Sequence, residues 1–289
     1  MEEILLWPQC CPKQESIMDF TTADARISAL EACIESPRVV RPDEKLYVGV
    51  DLGTAYIVLV VLNSQKEPVA CAMEFAQVIR DGIVVDFVGA SRIVKALATR
   101  LEEQLGRKLA KAAIAVPPGT DERTSATHKY VAEAAGLEVT TILDEPTAAN
   151  AVLGLSEGVI VDIGGGTTGL SILEDGKVVY VADEATGGTH LTLVLAGNFG
   201  ISVEEAEAIK TDPARQKEIF PLVRPVLEKM GTIVARHIKG YNVKSLCLVG
   251  GTCCLTDMEK EIARLVGVPV YKPANPFLVT PLGIALNCK

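Results

Sequence analysis

The run Val159-Ile160-Val161-Asp162-Ile163-Gly164-Gly165-Gly166-Thr167-Thr168-Gly169-Leu170-Ser171-Ile172 restricts the fold more than any other part of the chain. An apolar segment ending in Asp-Ile enters three glycines and two threonines, and a second apolar segment leaves them. That is the pattern of strand, tight turn and strand. Glycine backbone approaches a ligand closely, and its N–H groups together with threonine hydroxyls hold phosphate oxygens. A carboxylate at the mouth of the turn, Asp162, would repel phosphate unless a cation lay between them, so turn and Asp together point to a nucleotide with magnesium. An ordinary glycine-rich hairpin satisfies the same pattern, and the rest of the chain has to decide.

Leu46 to Ala55 repeats the plan: apolar strand, Asp51, apolar residue, Gly53, Thr54, then a second strand from Ile57 to Leu62. Such an internal repeat predicts two similar halves. In the first, Pro68–Phe75 is a third strand, and Ile93, Leu97, Leu101 and Leu105 mark one face of a helix closed by Gly106. Ala112–Val116 and Val139–Leu143 are buried strands, separated by a helix capped by Asp121 and ended by Gly136. A further helix starts at Glu145-Pro146, with Glu145 at its cap. In the second half Lys177–Asp183 is the third strand, Gly187-Gly188-Thr189 opens a helix, and Ser202 with Glu205 forms a capping box. Residues 213–240 read as helix interrupted near Pro221 and Pro225, and Ser245–Val249 runs as a strand into Gly250-Gly251-Thr252. Thr256 and Glu259 read as another capping box, and Pro281–Leu286 as a last helix that packs back on the first half. Antiparallel meanders joined to strand–helix–strand units predict mixed sheets in an α/β fold.

The expected division is an arm over 1–44 with one short helix near Thr21, a first lobe over 45–158 completed by a C-terminal helix within 276–289, and a second lobe over 159–275. The arm, punctuated by Pro8, Pro12, Pro37 and Pro42, is expected to pack on the main body, with a partner-docking helix as the alternative.

A net charge of −9 argues against nucleic acid or an anionic membrane as partner. No apolar run reaches the ~18 residues a membrane span needs, and Met1-Glu2-Glu3 does not begin a signal peptide. The eight cysteines, Cys10, Cys11, Cys33, Cys71, Cys247, Cys253, Cys254 and Cys288, contain no C-x-x-C pair, and no histidine stands at ligand spacing from any of them. This predicts reduced thiols in a cytoplasmic protein rather than a zinc site.

With Val48–Thr54, Val161–Thr168, Leu248–Thr252 and Glu145-Pro146-Thr147-Ala148-Ala149 in place, the chain resembles the actin, DnaK-type chaperone and sugar-kinase ATPase superfamily. Val78–Val84, Asp183–Gly188 and the short length, without the chaperones' peptide-binding domain, are similar to the small chaperone-like family encoded with ethanolamine-utilisation enzymes of bacterial microcompartments. The resemblance implies an actin-like ATPase fold, a duplicated ribonuclease H-like arrangement of two lobes with mixed five-stranded sheets. The short segments 63–112 and 211–245 imply reduced outer subdomains and a shallow cleft.

The same resemblance implies ATP and Mg2+ as ligands. Asp51 and Asp162 would approach the metal through its waters, and Gly53, Thr54, Ala55, Gly164, Gly165, Gly166 and Thr167 would hold phosphates. Glu145 would orient the attacking water, with Asp51, Asp162 and Thr167 beside it. Gly187 and Gly188 would form a further ribose or phosphate turn, and Gly250 and Gly251 would lie along the adenosine. Glu207 and Lys210 would reach adenine or ribose, or form a solvated ion pair. Gly169 stands where the chaperones and bacterial actins carry an acidic residue, and no lysine matches their catalytic one, Lys66 falling in a turn and Arg80 standing as the other basic residue considered. These departures predict ATP binding with weak hydrolysis. The implied partners are ethanolamine-utilisation enzymes or microcompartment components. A reactivating role for a cobalamin-dependent lyase and a non-catalytic scaffold are the competing functions.

Overall fold

The computed structural model describes residues 18–289. The arm's Pro8, Pro12, Cys10 and Cys11 lie outside the described residues. Helix α1 (Thr21–Glu35) comes first, its start held by Asp19, which accepts from the Thr21 N–H at 2.9 Å. Its buried stripe of Ala23, Ile27, Leu30 and Cys33 recurs every three to four residues and packs on one face of the first sheet.

The first meander follows as β1 (Tyr47–Leu52), β2 (Tyr56–Leu62) and β3 (Pro68–Phe75), and then a small ribbon, β4 (Ile79–Arg80) with β5 (Ile83–Val84). Helix α2 (Phe87–Leu105) is capped by Asp86, which accepts from Gly89 N–H at 2.8 Å, and buries Ile93, Leu97 and Leu101 on the sheet. Strand β6 (Lys111–Val116), α3 (Glu122–Ala134), β7 (Glu138–Asp144) and α4 (Glu145–Leu153) complete this half.

The second half repeats the order with β8 (Gly158–Ile163), β9 (Thr168–Glu174), β10 (Lys177–Glu184), α5 (Gly188–Phe199), α6 (Val203–Thr211), α7 (Gln216–His237), β11 (Leu246–Val249), α8 (Met258–Val266) and β12 (Val270–Tyr271). Helix α9 (Val279–Leu286) closes the chain. The sheets have matching orders, β3-β2-β1-β6-β7 and β10-β9-β8-β11-β12. In each, the meander is antiparallel and the crossover strands are parallel. The fold is the actin-like ATPase arrangement, and what stands between β3 and β6 is only the β4–β5 ribbon and one helix.

Each sheet has its own core on its outer face, and a third core lies between them, where Val58, Val60 and Leu62 meet Ile160, Leu173, Cys247 and Val249. Helices α1, α4 and α9 seal that shared core. Two sequence expectations need correction. Helix α7 continues through Pro221 and Pro225 without interruption. Each proline removes a backbone bond at a cost of about 3 kcal/mol, offset by a fully buried stripe of Ile219, Val223, Leu227, Met230 and Val234. The Thr256–Glu259 capping box does not form: Asp257 turns the chain through a left-handed conformation (φ 63°), and Thr256 is bonded elsewhere.

The six described cysteines are all free, five of them buried. No described helix is long and apolar enough to cross a membrane.

Candidate functional site

The β1–β2 and β8–β9 hairpins place their turns face to face across a cleft of about 350 Å³. Gly53, Thr54 and Ala55 come from one turn, and Gly164, Gly165, Gly166 and Thr167 from the other. The turns touch. A Cβ added at Gly166 would lie 2.7 Å from Thr54 Oγ1 and 3.0 Å from Asp81 Oδ1, so only glycine permits this approach. Thr167 closes its own turn, its carbonyl accepting from Gly164 N–H at 3.2 Å.

Carboxylates gather at the strand ends. Asp51 and Asp162 occupy matching positions in the two hairpins, and Glu145 opens α4. Glu145 is not the cap of that helix, as its position suggested: Asp144 takes the role, accepting from Thr147 N–H at 2.8 Å. The Glu145 side chain is therefore left to face the cleft. Asp162 Oδ2 accepts a hydrogen bond from the Thr280 hydroxyl of α9 at 2.7 Å. Burial, aided by Asp162, pushes Asp51 up to about 7. Burial raises Asp162 to about 6, with the Thr280 bond opposing and Asp183 adding to the shift. Glu145 is raised well above the ordinary range by burial and then by Asp162, Asp51, Asp183 and Asp144.

Asp183, read in the sequence as the end of a strand, is not among the expected site residues. It pairs with Gly169 across β9 and β10, and a Cβ at Gly169 would lie 3.4 Å from Asp183 Oδ1. A carboxylate thus stands beside position 169 on the neighbouring strand. Burial raises its pKa, with the Thr167 side chain opposing.

Cationic side chains are scarce. Lys210 is the one Lys or Arg among the described residues that lines the cleft. It is bound to Glu207 at 2.6 Å, with both side chains near 10% exposed (12% and 8%). Thr192 ties the pair together, donating to Glu207 at 2.7 Å and lying 3.0 Å from Lys210 Nζ. The pair is thus a buried element of the cleft wall rather than a solvated one. Lys66 is elsewhere, bonded to the Cys288 carbonyl at 2.7 Å and stacked over Tyr47.

Gly250 and Gly251 line the cleft, Gly251 lying against the Phe277 ring, which meets Tyr56 edge-on at 5.6 Å. Gly187 and Gly188 do not line it. Their backbone buttresses the second turn from behind, with Gly188 N–H donating to Gly164 O at 2.9 Å and Thr189 N–H to Gly165 O at 2.8 Å. The Gly188 amide is thereby taken by the turn, and the Gly187 N–H donates to His190 Nδ1 at 3.3 Å.

The carboxylates suit a hydrated magnesium ion. No described group of three acidic, His or Cys side chains is close enough to hold a metal directly, and none of the four carboxylates has a cationic side chain among the causes of its raised pKa. Mg2+ keeps most of its waters, and one or two carboxylates receive them.

The family model described as Hsp70 protein matches residues 87–212, and that described as cell division protein FtsA matches residues 159–283. A solved PilM–PilN type IV pilus biogenesis complex shares the fold at TM-score 0.68 and 17% identity, over 83% of this chain and 97% of that one. The ethanolamine utilization protein EutJ of Salmonella typhimurium strain LT2 is 47% identical over 258 residues, 89% of this chain and 90% of the relative. The chain belongs to the EutJ family. The crystal structure of EutJ from Carboxydothermus hydrogenoformans superposes at TM-score 0.87 with 47% identity, covering 92% of this chain and 98% of that one. The EutJ family thus combines an ethanolamine-utilisation role with the fold of the Hsp70-type ATPases, a family whose members bind nucleotide.

Proposed function

We propose that this chain binds Mg-ATP between the two hairpin turns, hydrolyses it slowly, and acts as a chaperone-like factor in the cytoplasm. Its clients would be ethanolamine-utilisation enzymes or components of their microcompartment. The observation that carries the reading is the pairing of two Asp-turn hairpins across one cleft, which Glu145 also lines near both aspartates. Gly53, Thr54, Ala55, Gly165 and Gly166 would donate backbone N–H groups to phosphate oxygens, the Gly164 N–H being held by the Thr167 carbonyl, while Asp51 and Asp162 receive waters of the magnesium ion. Glu145, its proton affinity raised, would accept a proton from the attacking water. The scarcity of cations accounts for slow turnover: with Lys210 spent on Glu207, no described side-chain cation faces the phosphates to stabilise developing charge. Nucleotide held by both turns would bias how the lobes close, and so the surface offered to a client.

The test measures Mg-ATP binding by titration calorimetry and phosphate release, with and without ethanolamine ammonia-lyase. ATP should bind in the micromolar range. Glu145→Gln should lower phosphate release by about 10²-fold with binding kept within a few-fold. Absence of ATP binding, or a Glu145→Gln variant as active as the parent, would reject the reading.

A further inference from the structure

The cleft wall also holds a polar side chain away from the carboxylates, Gln216. Gln216, the first residue of α7, is 8% exposed and lines the cleft together with Thr211, Leu255 and Phe277. Its Oε1 accepts from the Thr256 backbone N–H at 2.9 Å and also from the Thr256 hydroxyl. A backbone N–H only donates, so this bond fixes which way round the amide sits: the oxygen faces Thr256 and the NH2 faces away from it. Nε2 has no hydrogen-bond partner among the described residues. Nε2 is not fully buried: it reaches the open cleft, where an acceptor on a bound molecule can meet it.

The surroundings define that acceptor. The phosphate turns and carboxylates occupy the Asp51–Asp162 end, and Glu207 and Lys210 satisfy each other and Thr192. The same cleft has apolar wall at Leu255, which precedes Thr256 in the chain, and at Phe277 against Gly251. Flat apolar walls with one oriented donor suit a heteroaromatic ring that presents a lone pair at its edge. The failed capping box has a consequence here, since Thr256 gives both its N–H and its hydroxyl to Gln216 and leaves the amide with donors only.

We propose that Gln216 is a specificity-determining residue that donates to a ring nitrogen of the purine base, and that Thr256 keeps it in the donor orientation. The inference rests on the nucleotide reading of the cleft. Adenine carries three ring acceptors, N1, N3 and N7, and the pairing is decided by which of them Nε2 meets.

The experiment measures affinity for Mg-ATP and for its 1-deaza, 3-deaza and 7-deaza analogues. The proteins are the parent chain, Gln216→Glu, which keeps an acceptor for Thr256 and loses the donor, and Gln216→Leu. One analogue should bind the parent about 10-fold more weakly than ATP, equivalent to about 1.4 kcal/mol. That ratio should fall to about 1 in both variants, the non-additivity expected when both changes remove one bond. Melting temperatures of the ligand-free variants establish that they are folded, and Gln216→Glu alone suffices if Gln216→Leu is not. Equal binding of all four nucleotides by the parent, or an analogue ratio unchanged in the folded variants, overturns the inference and leaves Gln216 as a brace for Thr256. If the parent binds no ATP, the nucleotide reading falls and this inference falls with it.

Discussion

The two hairpins that face each other across the cleft are built to one plan and used differently. Asp51 and Asp162 stand at the same place in each, five residues into the strand, yet Asp162 accepts a hydroxyl bond from Thr280 while the Asp51 carboxylate has no hydrogen bond among the described residues. Two residues earlier the matching positions are Gly49 and Ile160. Gly49 allows α9 to cross β1 directly, since a Cβ there would lie 2.5 Å from the Ala285 nitrogen. Ile160 instead fills the core shared by the sheets, 1% exposed. One helix, α9, breaks the symmetry: it lies on the first hairpin and sends a hydroxyl to the carboxylate of the second. The duplication therefore supplies two equivalent jaws, and a single later element makes one aspartate easier to ionise than the other.

The largest effect should come from exchanging the two packing solutions. Ile160→Ala should cost about 2–5 kcal/mol by opening a cavity, and Gly49→Ala about 1–3 kcal/mol by overpacking. Urea unfolding would measure both, and a neutral result at Gly49 would mean that α9 is not seated as described.

Asp51→Asn addresses the electrostatic difference. Asp51 has a folded pKa of about 7 against an ordinary 3.8, so between those values the folded state holds more protons than the unfolded one. Stability from this group is fully present below the lower value and falls as pH rises through the window. Relative to the parent, ligand-free Asp51→Asn should gain on the order of 4 kcal/mol between pH 4 and pH 8. Asp162→Asn should gain less, because Asp162 is raised only to about 6 and Thr280 already favours its charged form. Equal gains would remove the asymmetry. The smallest effect belongs to Thr280→Val, expected to destabilise by about 1.5 kcal/mol at pH 8, where Asp162 is charged, and by less at pH 5. A pH-independent loss would assign Thr280 to packing alone.

Much of the site was legible because its chemistry sits in short local patterns. A glycine turn after an Asp-ended strand is encoded within a few residues, as are the Asp121 and Ser202 caps and the buried stripe of α2. What escaped depends on competition between neighbours. Asp144 and Glu145 are both able to cap α4, and the backbone chose Asp144. Gly187 and Gly188 look like a ligand turn, yet the Gly188 N–H is bonded to Gly164 and the Gly187 N–H to His190. Thr256 looks like a cap until Gln216 claims it.

The sequence by itself determined the duplicated strand–turn–strand plan, the position of one Asp in each copy and the mixed α/β architecture, because hydrophobic period and glycine turns act over a few residues. Only the tertiary structure decided the state of those aspartates and the company they keep. Thr280 reaches Asp162 across 118 positions, Gln216 reaches Thr256 across 40, and Asp183 is brought beside Gly169 by strand register. Burial and a partner from a distant segment set a carboxylate's proton affinity, and neither is encoded next to it in the chain.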